Sequence, residues 1–157
     1  MNKSMRQCAV LCVLLPLLAA CANGATGPTF DQTRATEAPV AQNVGRIYLY
    51  RGGRNWGAGL QPDIKINGVK VGEAVPGGYF YVDEAPGTYT VTIATEKEET
   101  VSVPVVAGQA VYVHIYVLPG VFVGHVVPEI MDSAKATTDI RTLNYDDGMK
   151  DKKAASK

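Results

Sequence analysis

From Val44 onward the apolar residues come in short runs that alternate with polar ones. This period of two predicts β-strands. In RIYLYR, Arg46 to Arg51, Ile47 and Leu49 share one face while Tyr48 and Tyr50 share the other. Asp63–Asn67 and Val69–Ala74 flank Asn67-Gly68, a pair that tolerates the positive φ angles of a two-residue hairpin turn. Tyr79–Asp83 sets Phe80 and Val82 against Tyr79 and Tyr81, and Gly87–Ala94 sets Tyr89, Val91 and Ile93 against Thr88, Thr90 and Thr92. Val101, Val103 and Val105 make another inward face, with Pro104 marking an edge because proline cannot donate to a ladder. Ala110–Leu118 is the most apolar strand, and Phe122–Val127 is a last short one before Pro128. Alternation of this kind means one buried and one wet face. Roughly seven or eight strands in about 85 residues predict an all-β chain folded as a single small antiparallel β-sandwich.

The flanks read differently. Residues 22–43, ANGATGPTFDQTRATEAPVAQN, are small and polar without periodicity, which predicts a flexible tether with a random-coil reach on the order of 25 Å. Residues 128–145 are predicted to be partly helical, with Ile130, Met131 and Ala134 at helical spacing and Ile140 and Leu143 as a second contact. Residues 146–157 form a charged tail expected to be disordered. The expected divisions are therefore 1–20, 21–43, 44–127, 128–145 and 146–157.

The first of these has its own chemistry. Lys3 and Arg6 precede an apolar run from Ala9 to Leu18, which is too short to span a bilayer but has the form of a secretory signal. The run ends in Leu18-Ala19-Ala20-Cys21, which resembles the lipobox of bacterial lipoproteins. That resemblance implies cleavage between Ala20 and Cys21 and a covalent diacylglyceryl group on the Cys21 thiol, with no other cofactor. Each buried methylene of such a lipid contributes about 0.8 kcal/mol, so two or three acyl chains anchor the body firmly. Ala22 stands where an inner-membrane retention signal would place aspartate, so the resemblance implies an outer-membrane lipid anchor with the body facing the periplasm.

Cysteine and charge narrow the classes further. Of the 3 cysteines, Cys8 and Cys12 leave with the signal and Cys21 becomes a thioether, so the mature body has no disulfide and no thiolate ligand. Loss of Lys3 and Arg6 from a balance of 15 basic and 15 acidic residues leaves a net charge of −2, which argues against nucleic acid as a partner.

The motifs RIYLYR, PDIKINGVKVGE, GGYFYVDEAPGTYTV and VVAGQAVYVHIYV, in that order, resemble the family called domain of unknown function 2846. The resemblance spans about Val44 to Val127. It implies an envelope location and a carboxypeptidase-regulatory-like, transthyretin-like or Ig-like sandwich, and it brings no catalytic residues with it. In that pattern the tyrosines of GGYFYVD and PGTYTV serve cross-strand packing.

Enzyme motifs are missing: there is no Gly-x-Ser-x-Gly elbow, no His-Glu-x-x-His helix and no phosphate-binding glycine loop. Asp83 and Glu84 are adjacent on a strand and point apart, as a solvated turn would have them. Two surfaces are candidates for contact. A hairpin turning at Pro119-Gly120 would put His114 directly opposite His125, with Cβ atoms about 4.5–5.5 Å apart, close enough to share a metal if a third ligand existed. The same face would carry Tyr112, Tyr116, Val123 and Val127, and either the C-terminal segment or a partner would cover it. The glycine-rich loop Arg51–Gln61 offers Arg51, Arg54 and Trp56, residue types that recur at interface hot spots and stack on sugars. The alternative is that Trp56 closes one end of the core. The sequence thus predicts a non-enzymatic envelope lipoprotein that contacts an envelope protein or cell-wall polymer, with a metal- or small-ligand-binding protein or an enzyme using His114 and His125 as the alternative.

Overall fold

The computed structural model describes residues 24–53, 57–121 and 124–146. Eight strands, β1 (Gly45–Tyr50), β2 (Asp63–Ile66), β3 (Val69–Glu73), β4 (Gly78–Glu84), β5 (Gly87–Ala94), β6 (Glu98–Val105), β7 (Ala110–Leu118) and β8 (His125–Met131), are joined by a two-residue β9 (Asn144–Tyr145). Two short helices, α1 (Phe30–Thr33) and α2 (Ser133–Ile140), lie outside the strand-forming stretch. The strands form two sheets, ordered β8-β7-β1-β4-β9 and β3-β2-β5-β6. The β-sandwich expected from the sequence is therefore present.

Its core follows from the alternation. Ile47, Leu49, Phe80, Val113, Ile115 and Val126 from the larger sheet meet Ile64, Ile66, Val91, Ile93, Val103 and Val105 from the smaller one. Asn67 and Gly68 adopt φ values of 49° and 83°, the pair of positive angles that closes the β2–β3 hairpin. Pro104 lies in β6, an edge of the smaller sheet, and Pro128 lies in β8, an edge of the larger. Neither removes a hydrogen bond from the interior of a sheet.

The larger sheet is mixed, where an antiparallel one was expected. β1 pairs antiparallel with β4 but parallel with β7, so that Tyr48 lies beside Tyr112 and Tyr50 beside His114. This puts β1 at the centre of the sheet, buried along its whole length. One face of β1 supplies the aliphatic core. The other supplies tyrosines to a second core, made by Phe30, Tyr48, Tyr50, Tyr79, Tyr112, Ala136, Ile140 and Leu143.

That second core corrects the reading of residues 22–43 as a free tether. Phe30 is only 4% exposed and packs edge-on against Tyr48 and Tyr79 at ring distances of 5.7 and 5.4 Å. The backbone is fastened as well: Gly27 N donates to Tyr145 O at 3.1 Å and Phe30 N to Leu143 O at 3.0 Å. Glu37 from this segment pairs with the buried Arg46 guanidinium, which also grips Asp83 through two contacts of 2.6 and 2.8 Å. Tyr48 Oη donates to the same Glu37 carboxylate at 2.6 Å, and Arg46 sits 3.9 Å over the ring of Tyr81. Arg46 is held well above its ordinary pKa, first by Asp83, and desolvation opposes this. Burial, joined by the bond to Glu37, raises the Tyr48 phenol.

The C-terminal segment also differs in detail. Ile130 and Met131 belong to β8, where a helix was expected, and α2 begins only at Ser133, capped by Asp132 Oδ1, which accepts from Ala134 N at 2.9 Å and Lys135 N at 3.2 Å. The helix face against the sheet is Ala136 and Ile140, both fully buried, while Ala134 is exposed. Leu143 is buried behind them, as its spacing suggested.

Candidate functional site

β7 carries three of the predicted site residues on its outer face. Tyr112 is buried and stacks on Tyr48, with ring centroids 4.9 Å apart and planes 7° from parallel. His114 stacks on Tyr50 at 4.8 Å and 16°, and Tyr116 follows at 5.7 Å from the imidazole. The C-terminal segment covers Tyr112 but leaves the face beside His114 and Tyr116 partly open. A groove of about 760 Å³ opens there between β1, β7 and α2, lined by Tyr50, Gly52, Gly53, His114, Tyr116, Lys135 and Asp139.

The electrostatics of the groove are internally balanced. Lys135 and Asp139 lie one helical turn apart on α2 and pair at 3.0 Å. Burial lowers the pKa of His114; Asp139 and Glu129 oppose that fall and Lys135 assists it. The imidazole is therefore neutral at pH 7, with one donor and one acceptor nitrogen. Burial, then the charge of Asp139, raises the Tyr50 phenol, so it stays protonated. Tyr50 is 1% exposed, and the Asp139 carboxylate beside its hydroxyl favours the protonated phenol. The groove thus presents neutral hydrogen-bonding groups and a closed ion pair. Among the described residues, its lining holds no hydrogen-bonded nucleophile and base.

The histidine pair is corrected. β7 and β8 align Leu118 with His125 and His114 with Glu129, four rows from the expected register. His125 therefore lies about 13 Å along the sheet from His114, too far to share an ion. The physical cause is the connection. It runs from Pro119 to Gly124, longer than a two-residue turn, and the Glu96 carboxylate holds it by accepting from Val121 N at 3.3 Å and Gly124 N at 3.2 Å. Gly124 has φ 122°, which a residue with a side chain would resist. Among the described residues no group of three or more His, Cys, Asp or Glu could hold a metal.

Arg51 is corrected too. It was expected on a mobile contact loop, but it is 4% exposed and donates inward to backbone carbonyls. Its Nη1 reaches Leu60 O and, at 2.7 Å, Ala74 O, while Nη2 reaches Gly57 O at 2.7 Å. A guanidinium with five donors suits a loop whose carbonyls lack strand partners. Burial lowers its pKa. Arg54 and Trp56, and likewise Ala20 and Cys21, lie outside the described residues.

Sequence reasoning missed Tyr50, Lys135 and Asp139. The spacing Lys-x-x-x-Asp within a short helix was a visible sign of an ion pair. The partnership of Tyr50 with His114 was not visible, since it depends on a parallel pairing between strands about 60 residues apart.

A family profile described as protein of unknown function (DUF2846) matches residues 41–126, more than half of the chain. The chain belongs to this family. The DUF2846 match covers every strand of the smaller sheet, and β1, β4 and β7 of the larger. It stops at the start of β8, so α1, α2 and the residues they bring to the second core (Phe30, Ala136, Ile140 and Leu143) lie outside it, while the core's four tyrosines lie within. No curated protein and no solved structure matches the chain.

Proposed function

We propose that this DUF2846 protein is a non-enzymatic binding module of the bacterial envelope, anchored through lipid on Cys21. Its working surface is the groove walled by Tyr50, His114, Tyr116, Lys135 and Asp139. The observation that carries this reading is the groove's chemistry. A neutral imidazole, the protonated Tyr50 phenol and a closed Lys135–Asp139 pair suit hydrogen bonding and stacking. The anchor rests on the signal-like N-terminus and the Leu-Ala-Ala-Cys sequence. Ala22 favours the outer membrane, with the body in the periplasm. The partner in this reading is an envelope protein or cell-wall polymer, and confinement at the membrane lets a weak contact suffice.

A photo-crosslinking residue at Tyr116 in living cells tests the surface. The expected result is a discrete adduct with a protein or glycan, lost in a Lys135→Ala/Asp139→Ala variant that still folds. Absence of any adduct from a protein plainly present in the envelope would remove the groove as the working surface. Mass spectrometry of the mature N-terminus tests the anchor, with a diacylglyceryl-modified Cys21 expected.

A further inference from the structure

We infer that the body of this protein sits directly on the membrane that holds its anchor, with the end of the sandwich carrying Leu118 and Val121 against the lipid headgroups. This rests on the reading of Cys21 as the lipid attachment point, and three structural observations carry it beyond that reading.

The first is length. The chain is fastened to the body at Gly27, whose N–H donates to Tyr145 O, and before it by a longer bond of 3.4 Å from Ala25 N to Pro76 O. Gly27 is six residues from Cys21, a span of at most about 21 Å when fully extended. As a coil, six residues reach about 13 Å, half of the reach expected for residues 22–43 as a whole. The remainder of that segment is spent crossing the tyrosine face under the Glu37–Arg46 clasp.

The second is direction. Gly27 and Ala25 leave the body at one end of the larger sheet. Tyr50, the last residue of β1, pairs with Tyr79 near the start of β4, and Gly78 pairs with Asn144 of β9. β7 runs parallel to β1 and continues past Tyr50 to Leu118, so the loop after β7 projects from this same end. The opposite end carries Val44 and the Val106–Gly108 turn, where Gly108 N donates to Val44 O at 2.8 Å. Eight residue steps of β7 separate the two ends by about 27 Å. That distance is more than the short leash allows the far end to approach the bilayer without the near end lying on it.

The third is surface. Val121 is 83% exposed and Leu118 43% exposed, both on the anchor end, and the loop between them is held in shape by Glu96. Exposed apolar side chains at the end from which the anchored segment leaves suit the boundary between headgroups and acyl chains. The chemistry selected is a lipid surface, and the occupant is the bilayer carrying the protein's own lipid.

The test uses the full mature lipoprotein in vesicles of phosphatidylethanolamine and phosphatidylglycerol. Once Cys21 is a thioether the body has no thiol, so Val121→Cys and, separately, Val106→Cys each take a single dye. A nitroxide on the lipid headgroup is expected to remove most of the emission at position 121 and little at 106. Twenty Gly/Ser residues inserted between Asn23 and Gly24 lengthen the coil reach to about 28 Å, and the difference between the two positions should then be lost. Equal quenching at both positions, with lipid on Cys21 verified by mass, would overturn the inference alone. An unmodified Cys21 would overturn the anchor reading and this inference with it.

Discussion

The two faces of β1 are buried by different means. Ile47 and Leu49 enter an aliphatic core built between sheets, from residues that all lie within the family match. Arg46, Tyr48 and Tyr50 enter a core of rings and one guanidinium, closed by the two terminal segments. The first core is the domain's frame: removing it leaves no sandwich. The second is a covering, assembled from residues 27–37 and 131–145, that turns an exposed sheet face into an interior. The lesson is that a half-wet sheet became a largely covered one by recruiting chain that looks like linker.

The sharpest way to break this distinction is at Ile47. Ile47→Ala should lower global stability by about 4 kcal/mol, because a fully buried side chain leaves a cavity between rigid sheets. Urea unfolding should show it in a single cooperative transition. Arg46→Ala comes next, at about 3 kcal/mol, since it strands Glu37 and Asp83, though Asp83 is partly solvated and recovers some hydration. A smaller loss with Arg46→Met than with Arg46→Ala would locate the effect in packing under Tyr81 instead of in charge.

Phe30→Ala should cost about 2 kcal/mol, below the usual range for a core phenylalanine because its segment can detach without opening the sandwich. Hydrogen exchange is the readout: protection should fall in residues 27–37 and 140–145 and persist in β2, β5 and β6. Uniform loss across all strands would mean that the two cores are one cooperative unit. Glu96→Gln should cost about 1 kcal/mol by weakening the charged acceptor of the 119–124 loop. Amide shifts at Val121 and Gly124 would report it.

The smallest effect is a pH dependence at His114. Unfolded, its imidazole titrates near 6.5; folded, burial holds it lower. Between those values the unfolded chain binds more protons, so stability falls as pH drops below about 6.5 and is unaffected above it. Melting temperatures at pH 5 to 7 should show this slope, and His114→Gln should flatten it.

The aliphatic face was legible because alternation reports burial directly, and Asn67-Gly68 reports its turn. The second core was harder to see. Its strand residues are tyrosines, which suit a wet face as well as a dry one, and its cover is written in polar sequence. One sign was present: Thr29-Phe30-Asp31-Gln32 has the Thr-x-x-Gln spacing of a helix start, and Thr29 N does donate to Gln32 Oε1 at 2.8 Å. The β7–β8 register was beyond local reading. Pro119-Gly120 suggested a tight turn, but the loop is shaped by Glu96, a residue about 25 positions away. The groove inherits both difficulties, since Tyr50 and His114 meet through a parallel pairing and α2 supplies the far wall.

The parallel contact between β1 and β7 also sets the order in which this chain can fold. Hairpins such as β2–β3 and β5–β6 form from neighbours, but the centre of the larger sheet must wait for strands about 60 residues apart to meet. Closing so long a loop is slow, and proteins dominated by such pairings fold in about milliseconds to seconds. β1 is the first strand to be synthesised, and it stays without its β7 neighbour until nearly the whole domain has been made. During that interval its row of isoleucine, leucine and tyrosines is an open edge, so the moment of greatest danger for this protein is its birth.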